Sequence, residues 1–195
     1  MKSLRLAEAK FESFEEIDFE KNKKLSIIIN VASLPLFFLF FLLFNYIAIV
    51  MGINPGTDIL FYLRKLSGDN SIYFLIIIGI NLVLHEAIHG IFLYAYTGSM
   101  PKIGFKVVYG YAGAPDWYIK KNLFYIISLS PFVLMTVAGF ILMLLVPLSL
   151  HAPIFMAITL NAAGSLGDLW VCYRLLKVPR NAYVNDTGLC ARIGY

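Results

Sequence analysis

The chain is poor in charge. Only 14% of its 195 residues are charged, whereas a soluble domain usually carries about 25%. Hydrophobic residues make up 59% of the chain, and its mean hydropathy is +0.76. This composition excludes an ordinary soluble protein and predicts a single membrane-embedded domain that spans residues 1–195.

Cysteine is also scarce, since Cys172 and Cys190 are the only two in the sequence. Two cysteines are too few for a disulfide framework, so we expect unpaired thiols. The net charge of +4 does not indicate a nucleic-acid partner. The basic residues flank apolar stretches, where Lys and Arg set the topology of a membrane protein.

Four apolar stretches are long enough to cross a bilayer, which takes roughly 20 helical residues. They lie at about residues 26–51, 72–96, 123–146 and 152–176. We therefore predict an all-α, multi-pass integral membrane protein with four transmembrane helices in contact with the lipid bilayer. An arm at residues 1–25 is expected to lie on the membrane surface, and residues 177–195 form a tail.

Lys and Arg are concentrated in the arm, in the loop between helices two and three, and at the C-terminal end. The positive-inside rule then places both termini in the cytoplasm. The loop at residues 97–122 contains a β-branched and aromatic run at 103–111, followed by turn-forming Gly113 and Pro115. This pattern predicts a short β-hairpin-like segment between helices two and three.

The second apolar stretch contains an HExxH motif at residues 85–89. Its helical spacing places the imidazoles of His85 and His89 on one face, where both can bind a single zinc ion, with Glu86 as general base. Such groups are costly within lipid, so their presence there predicts a functional site.

A catalytic zinc ion usually has three protein ligands. Asp168 is the only other acidic residue well inside an apolar stretch, and the predicted topology places it at the depth of the two histidines. We predict that it is the third ligand. An ion pair between Asp168 and Arg174 is the alternative.

Helix four also carries a polar face. Asn161, Gly164, Ser165 and Asp168 recur at three- and four-residue spacing. Asn161 is expected either to stabilise an oxyanion or to form a structural hydrogen bond between helices. Gly164 and Gly167 are expected to allow close approach of another helix.

Several motifs resemble those of the small zincin peptidase family of membrane proteins. These motifs are residues 85–90, residues 103–106, the segment AAGSLGD at 162–168, and the tail at 178–188. That family is in turn similar to the site-2-type intramembrane metalloproteases. The resemblance implies that His85, His89 and Asp168 bind one zinc ion, that Glu86 is the base and that Asn161 assists.

The chain departs from the site-2 pattern around Asp168. Gly167 precedes that residue, Leu169 follows it, and no proline lies between Asn161 and Asp168.

The expected function is a zinc-dependent peptidase that acts on a membrane-embedded peptide or protein, with its active site toward the cytoplasm. Residues 103–119 are expected to hold the substrate extended by strand addition. A metal transporter and a non-catalytic metal-binding scaffold remain as alternatives.

Overall fold

A computed structural model describes residues 3–53, 71–105 and 110–195. The predicted loop between helices one and two and the middle of the predicted hairpin lie partly outside these ranges. The described α-helices are α1 (Lys23–Val50), α2 (Ser71–Thr97), α3 (Lys121–Leu145), α4 (His151–Gly164) and α5 (Leu166–Leu176). The described strands are β1 (Ser3–Arg5), β2 (Phe14–Asp18), β3 (Lys102–Phe105), β4 (Gly110–Gly113), β5 (Trp117–Lys120), β6 (Tyr183–Asp186) and β7 (Cys190–Gly194).

Four helical stretches are long and apolar enough to cross a membrane, as the sequence predicted. They are Lys23–Val50, Leu75–Thr97, Lys121–Leu145 and Leu148–Leu176. The last stretch differs from the single predicted helix, because a turn at Ser165 separates α4 from α5. The Asn161 carbonyl accepts both the Ser165 hydroxyl at 2.8 Å and the Ser165 backbone N–H at 2.9 Å.

Aromatic side chains join α1 to the rest of the helical bundle. The ring centroids of Phe41 and Phe155 on α4 are 5.3 Å apart, and those of Phe44 and Phe140 on α3 are 5.5 Å apart. Gly139 brings α3 and α4 together, since a Cβ atom at this position would lie 2.2 Å from the Ile158 side chain. Most of the α1 surface is exposed apolar side chain, in keeping with a helix that can face lipid.

The all-α prediction is wrong in one respect, because the chain also forms a five-stranded antiparallel sheet in the order β1-β5-β6-β7-β2. The arm supplies both edge strands: Ser3 pairs with Ile119, and Phe14 pairs with Gly194. The arm is therefore part of the folded core and is not a separate surface segment. Ile17 on β2 is only 4% exposed.

The predicted hairpin-like segment corresponds to the two-stranded sheet of β3 and β4, in which Ile103 pairs with Ala112. β5 follows in sequence and joins the larger sheet. That sheet combines strands from the arm, from the segment between α2 and α3, and from the tail. These three parts of the chain therefore lie at the same end of the helices.

Candidate metal centre

Two histidines on α2 and one aspartate on α5 converge on a single point. The Nε2 atoms of His85 and His89 lie 3.2 Å apart. The Asp168 carboxylate lies 3.2 Å from His85 Nε2 through Oδ2 and 3.4 Å from His89 Nε2 through Oδ1. The two histidines are four positions apart, so α2 alone sets their spacing. The carboxylate comes from α5.

These separations suit a zinc ion. Zinc–nitrogen bonds of about 2.0–2.1 Å at tetrahedral angles place neighbouring ligand atoms about 3.3 Å apart. The distance between the two Nε2 atoms lies within about 0.1 Å of that value, and each Asp168 oxygen lies within about 0.1 Å of it from one histidine. Two imidazoles and one carboxylate also match the donor set of catalytic zinc sites, which leave a fourth position open.

The remaining imidazole nitrogens contact neighbouring helices. His85 Nδ1 donates to Asn161 Oδ1 at 2.8 Å, and His89 Nδ1 donates to the Ile127 carbonyl at 3.0 Å. The Asn161 amide nitrogen donates to the Pro131 carbonyl at 3.1 Å, which directs the Asn161 oxygen toward His85. Because a carbonyl only accepts, each histidine carries a proton on Nδ1, and Nε2 is the ring atom available to bind a metal ion.

A cavity of about 450 Å³ contains the cluster. One wall is helical and includes His85, Glu86, His89, Asn161 and Asp168. The opposite wall is formed by residues 110–112 of β4 and by residues of the β6–β7 region. Glu86 is 6% exposed and lines this cavity beside both histidines, which is where a base for an attacking water must lie.

Comparison with protein families gives a match over residues 78–183, more than half of the chain, to the family described as "putative zincin peptidase". The chain belongs to this family. The matched region includes the HExxH motif, Asn161 and Asp168. Membership in a zincin peptidase family indicates a zinc metallopeptidase. No curated protein and no solved structure matches the chain.

Gly164 and Gly167 do not have the predicted role in helix packing. We expected them to admit a neighbouring helix, but a Cβ atom at either position would meet no heavy atom within 4 Å. Both glycines line the cavity next to Asp168. Their missing side chains leave room beside the metal cluster.

The predicted alternative for Asp168 was an ion pair with Arg174. In the structure the Arg174 guanidinium contacts the Glu15 carboxylate on β2 instead. Asp168 contacts the two histidines. The arm strand therefore provides the partner for Arg174, a contact that joins residues far apart in sequence.

Asp186 is a cavity residue that the sequence analysis did not select. It ends β6, and its Oδ1 accepts a hydrogen bond from the Gly188 backbone N–H at 2.7 Å. Burial raises the pKa of the Asp186 carboxyl to about 7. Tyr183 and Val184 favour a strand, but nothing local indicates that this strand borders the cluster of His85, His89 and Asp168.

A second group of ligand-type side chains lies on the sheet and comprises Glu16, Asp18 and Cys190. Lys21 lies 3.2 Å from Asp18, and Arg192 lies 3.6 Å from Glu16. The two cationic side chains already neutralise much of this acidic charge. Of these two groups, His85, His89 and Asp168 are therefore the better candidate to hold a metal ion.

Proposed function

We propose that this protein is a zinc-dependent peptidase that cleaves membrane-associated peptides or proteins within or beside the bilayer. The observation that carries the proposal is the convergence of His85, His89 and Asp168 in one cavity that also contains Glu86. The cavity lies among helices that are apolar enough to cross a membrane. The family supports the peptidase chemistry, and the helices support the membrane location.

When bound, zinc supplies the Lewis acidity that activates a water molecule and polarises the scissile carbonyl. Glu86 accepts the proton that this water loses as its oxygen attacks the carbonyl carbon. The same carboxylic acid then gives that proton to the leaving amine as the C–N bond breaks. His85 and His89, each protonated on Nδ1, keep both Nε2 lone pairs directed at the metal position.

Asn161 was predicted either to assist catalysis or to join two helices. Both polar atoms of its side chain already have partners, one on His85 and one on the Pro131 carbonyl. These contacts favour a positioning role for Asn161 over stabilisation of an oxyanion. We propose that it holds the ring of His85 at the angle that metal binding requires.

Two features of the cavity suit an extended substrate that arrives from the bilayer. The lining includes Ile29 and Asn30 of α1 and Ile78, Asn81 and Leu82 of α2, so a membrane segment can enter between these helices. β4 is paired to β3 on one side, and its residues 110–112 line the cavity. An unwound substrate strand can add to β4 there and place a peptide bond near Glu86.

The orientation of the site follows from the sheet and from the charge distribution. If the four apolar helices span the bilayer, the arm, the β3–β5 segment and the tail share one face of the membrane, since their strands pair with one another. These are also the parts richest in Lys and Arg. We propose that this face is cytoplasmic.

A scaffold and a metal transporter could contain the same metal cluster, but neither requires Glu86 as a base. The decisive experiment uses the purified full-length protein in lipid nanodiscs with a generic transmembrane peptide. We expect cleavage that a zinc chelator stops and that added zinc restores.

Glu86→Gln retains the size of the side chain but cannot accept a proton. This variant is expected to keep bound zinc and to lose activity by about 10²–10⁴-fold. Glu12→Gln, an exposed arm position, is the matched control and should cleave like the parent. Equal cleavage by Glu86→Gln and the parent would refute the peptidase mechanism. Zinc flux into liposomes would then support a transporter.

A further inference from the structure

One buried turn of α3 bonds to His89 directly and to His85 through Asn161. Pro131 lies inside this helix and has no N–H, so the carbonyl four residues earlier, at Ile127, has no helical donor. Two other groups bond to that carbonyl instead: His89 Nδ1 at 3.0 Å and the Ser130 hydroxyl at 2.7 Å. Ile127 and Ser130 are 1% and 5% exposed, so water does not replace these donors.

The same turn reaches the other histidine through Asn161. The Pro131 carbonyl accepts from the Asn161 amide at 3.1 Å, and the Asn161 oxygen accepts from His85 Nδ1 at 2.8 Å. Asn161 is 4% exposed. Because the Pro131 carbonyl can only accept, it fixes which end of the Asn161 amide faces His85.

We propose that residues 127–131 of α3 form the positioning element of the metal centre, and that Pro131 is the residue that creates it. By leaving the Ile127 carbonyl free, the proline gives His89 a fixed acceptor. Through its own carbonyl it orients Asn161 and thereby His85. The inference rests on the proposed zinc site. It adds that α3, which supplies none of the three proposed ligands, positions both histidines. Groups that hold a ligating histidine in this way typically contribute about 10–100-fold to metal affinity.

The first test restores the missing donor. In Pro131→Ala the new N–H can bond to the Ile127 carbonyl and compete with His89. We expect zinc affinity, measured by competition with a chromophoric chelator, to fall about 10-fold. Adding Ser130→Ala removes one competing donor and should recover part of the loss. Pro35→Ala, an exposed proline inside α1, is the matched control and should bind zinc like the parent.

An NMR measurement on the zinc-bound protein distinguishes loss of the His89 hydrogen bond from a general loss of helix packing. The Nδ1 proton of His89 should show the downfield shift of a hydrogen-bonded proton in the parent and in Pro35→Ala. In Pro131→Ala that shift should decrease. Circular dichroism reports whether each variant is folded.

A second variant tests the other half of the proposal independently. Asn161→Ala should also lower zinc affinity about 10-fold, whereas Asn161→Asp retains an oxygen that accepts from His85 and should lose less. This arm decides the question if Pro131→Ala does not fold.

Zinc binding by Pro131→Ala or Asn161→Ala as tight as that of the parent would overturn the positioning role and leave the metal site intact. A parent protein that binds no zinc would instead refute the proposed function, and this inference with it.

Discussion

The two walls of the cavity are built in different ways. The helical wall contains His85, Glu86 and His89 within five consecutive residues, and Asp168 is the member of the proposed ligand set that comes from another helix. The sheet wall combines β4 with the β6–β7 region. That region is held in place by edge strands from the arm. The chemistry of the site is thus largely local in sequence, whereas its enclosure depends on long-range strand pairing.

This difference explains why the two walls carry different kinds of residue. The helical wall presents His85, Glu86 and His89, the proposed base and two proposed ligands, whose spacing a regular helix fixes. The sheet wall includes Gly110, Ala112, Gly188 and Ala191, and Asp186 is its partly exposed carboxylic acid. We infer that the helical wall performs the chemistry and that the sheet wall shapes the space in which the substrate lies.

The largest expected effect compares one carboxylate from each wall. Asp168→Asn removes the anionic member of the proposed ligand set. Loss of a residue that only supports a ligand weakens metal binding by up to about 100-fold, and we expect a larger loss here. Asp186→Asn should leave zinc affinity close to that of the parent, because Asp186 is not one of the three clustered ligands. Competition titrations with a chelator measure both. Equal losses in the two variants would mean that the sheet wall also supplies a ligand.

The second prediction concerns stability and compares an arm residue with a residue of α1. Ile17 on β2 is 4% exposed, so Ile17→Ala should lower the free energy of unfolding by about 2–5 kcal/mol. Ile27 on α1 is 62% exposed, and Ile27→Ala should change it by no more than about 0.5 kcal/mol. Denaturant unfolding in detergent provides the measurement. A small effect at Ile17 would show that the arm is not part of the cooperative fold.

The smallest expected effect is a pH dependence from Asp186. The folded protein raises the pKa of this carboxyl to about 7, above the value of about 3.9 for an unfolded aspartate. Between about pH 4 and about pH 7, the Asp186 carboxyl is therefore protonated in the folded state and ionised in the unfolded state. The contribution of Asp186 to stability therefore falls as pH rises from about 4 to about 7 and is constant above that range.

Asp186→Asn retains an acceptor for the Gly188 N–H but cannot ionise. In the metal-free protein, the melting temperature of the variant relative to the parent should therefore be higher at pH 8 than at pH 5. The same difference at both pH values would contradict burial of an ionisable Asp186.

The helical part of the fold could be predicted because its signals are local. Apolar stretches of sufficient length predict all four helical stretches that can span a membrane, and the HExxH spacing predicts that His85 and His89 lie on one helical face, as they do. Asp168 was selected because acidic residues are scarce in apolar segments. The turn at Ser165 was not foreseen, since the apolar stretch continues through this position without a proline.

The sheet was harder to predict because each strand is short and pairs with a distant partner. β1 has three residues and pairs with β5, while β2 pairs with β7. The sequence of the arm mixes acidic and aromatic residues and fits an amphipathic surface segment equally well. The role of Pro131 was also missed, since its effect appears only when α2 brings His89 to the Ile127 carbonyl.

The pairing of Phe14 with Gly194 also imposes an order on biosynthesis. Residue 14 leaves the ribosome long before residue 194, so β2 has no partner while the helices between them are made and inserted. Until β7 has been synthesised, the arm cannot complete the five-stranded sheet, and the β6–β7 part of the cavity lining is incomplete. This region is thus the last part of the lining to be made, after His85, Glu86, His89 and Asp168.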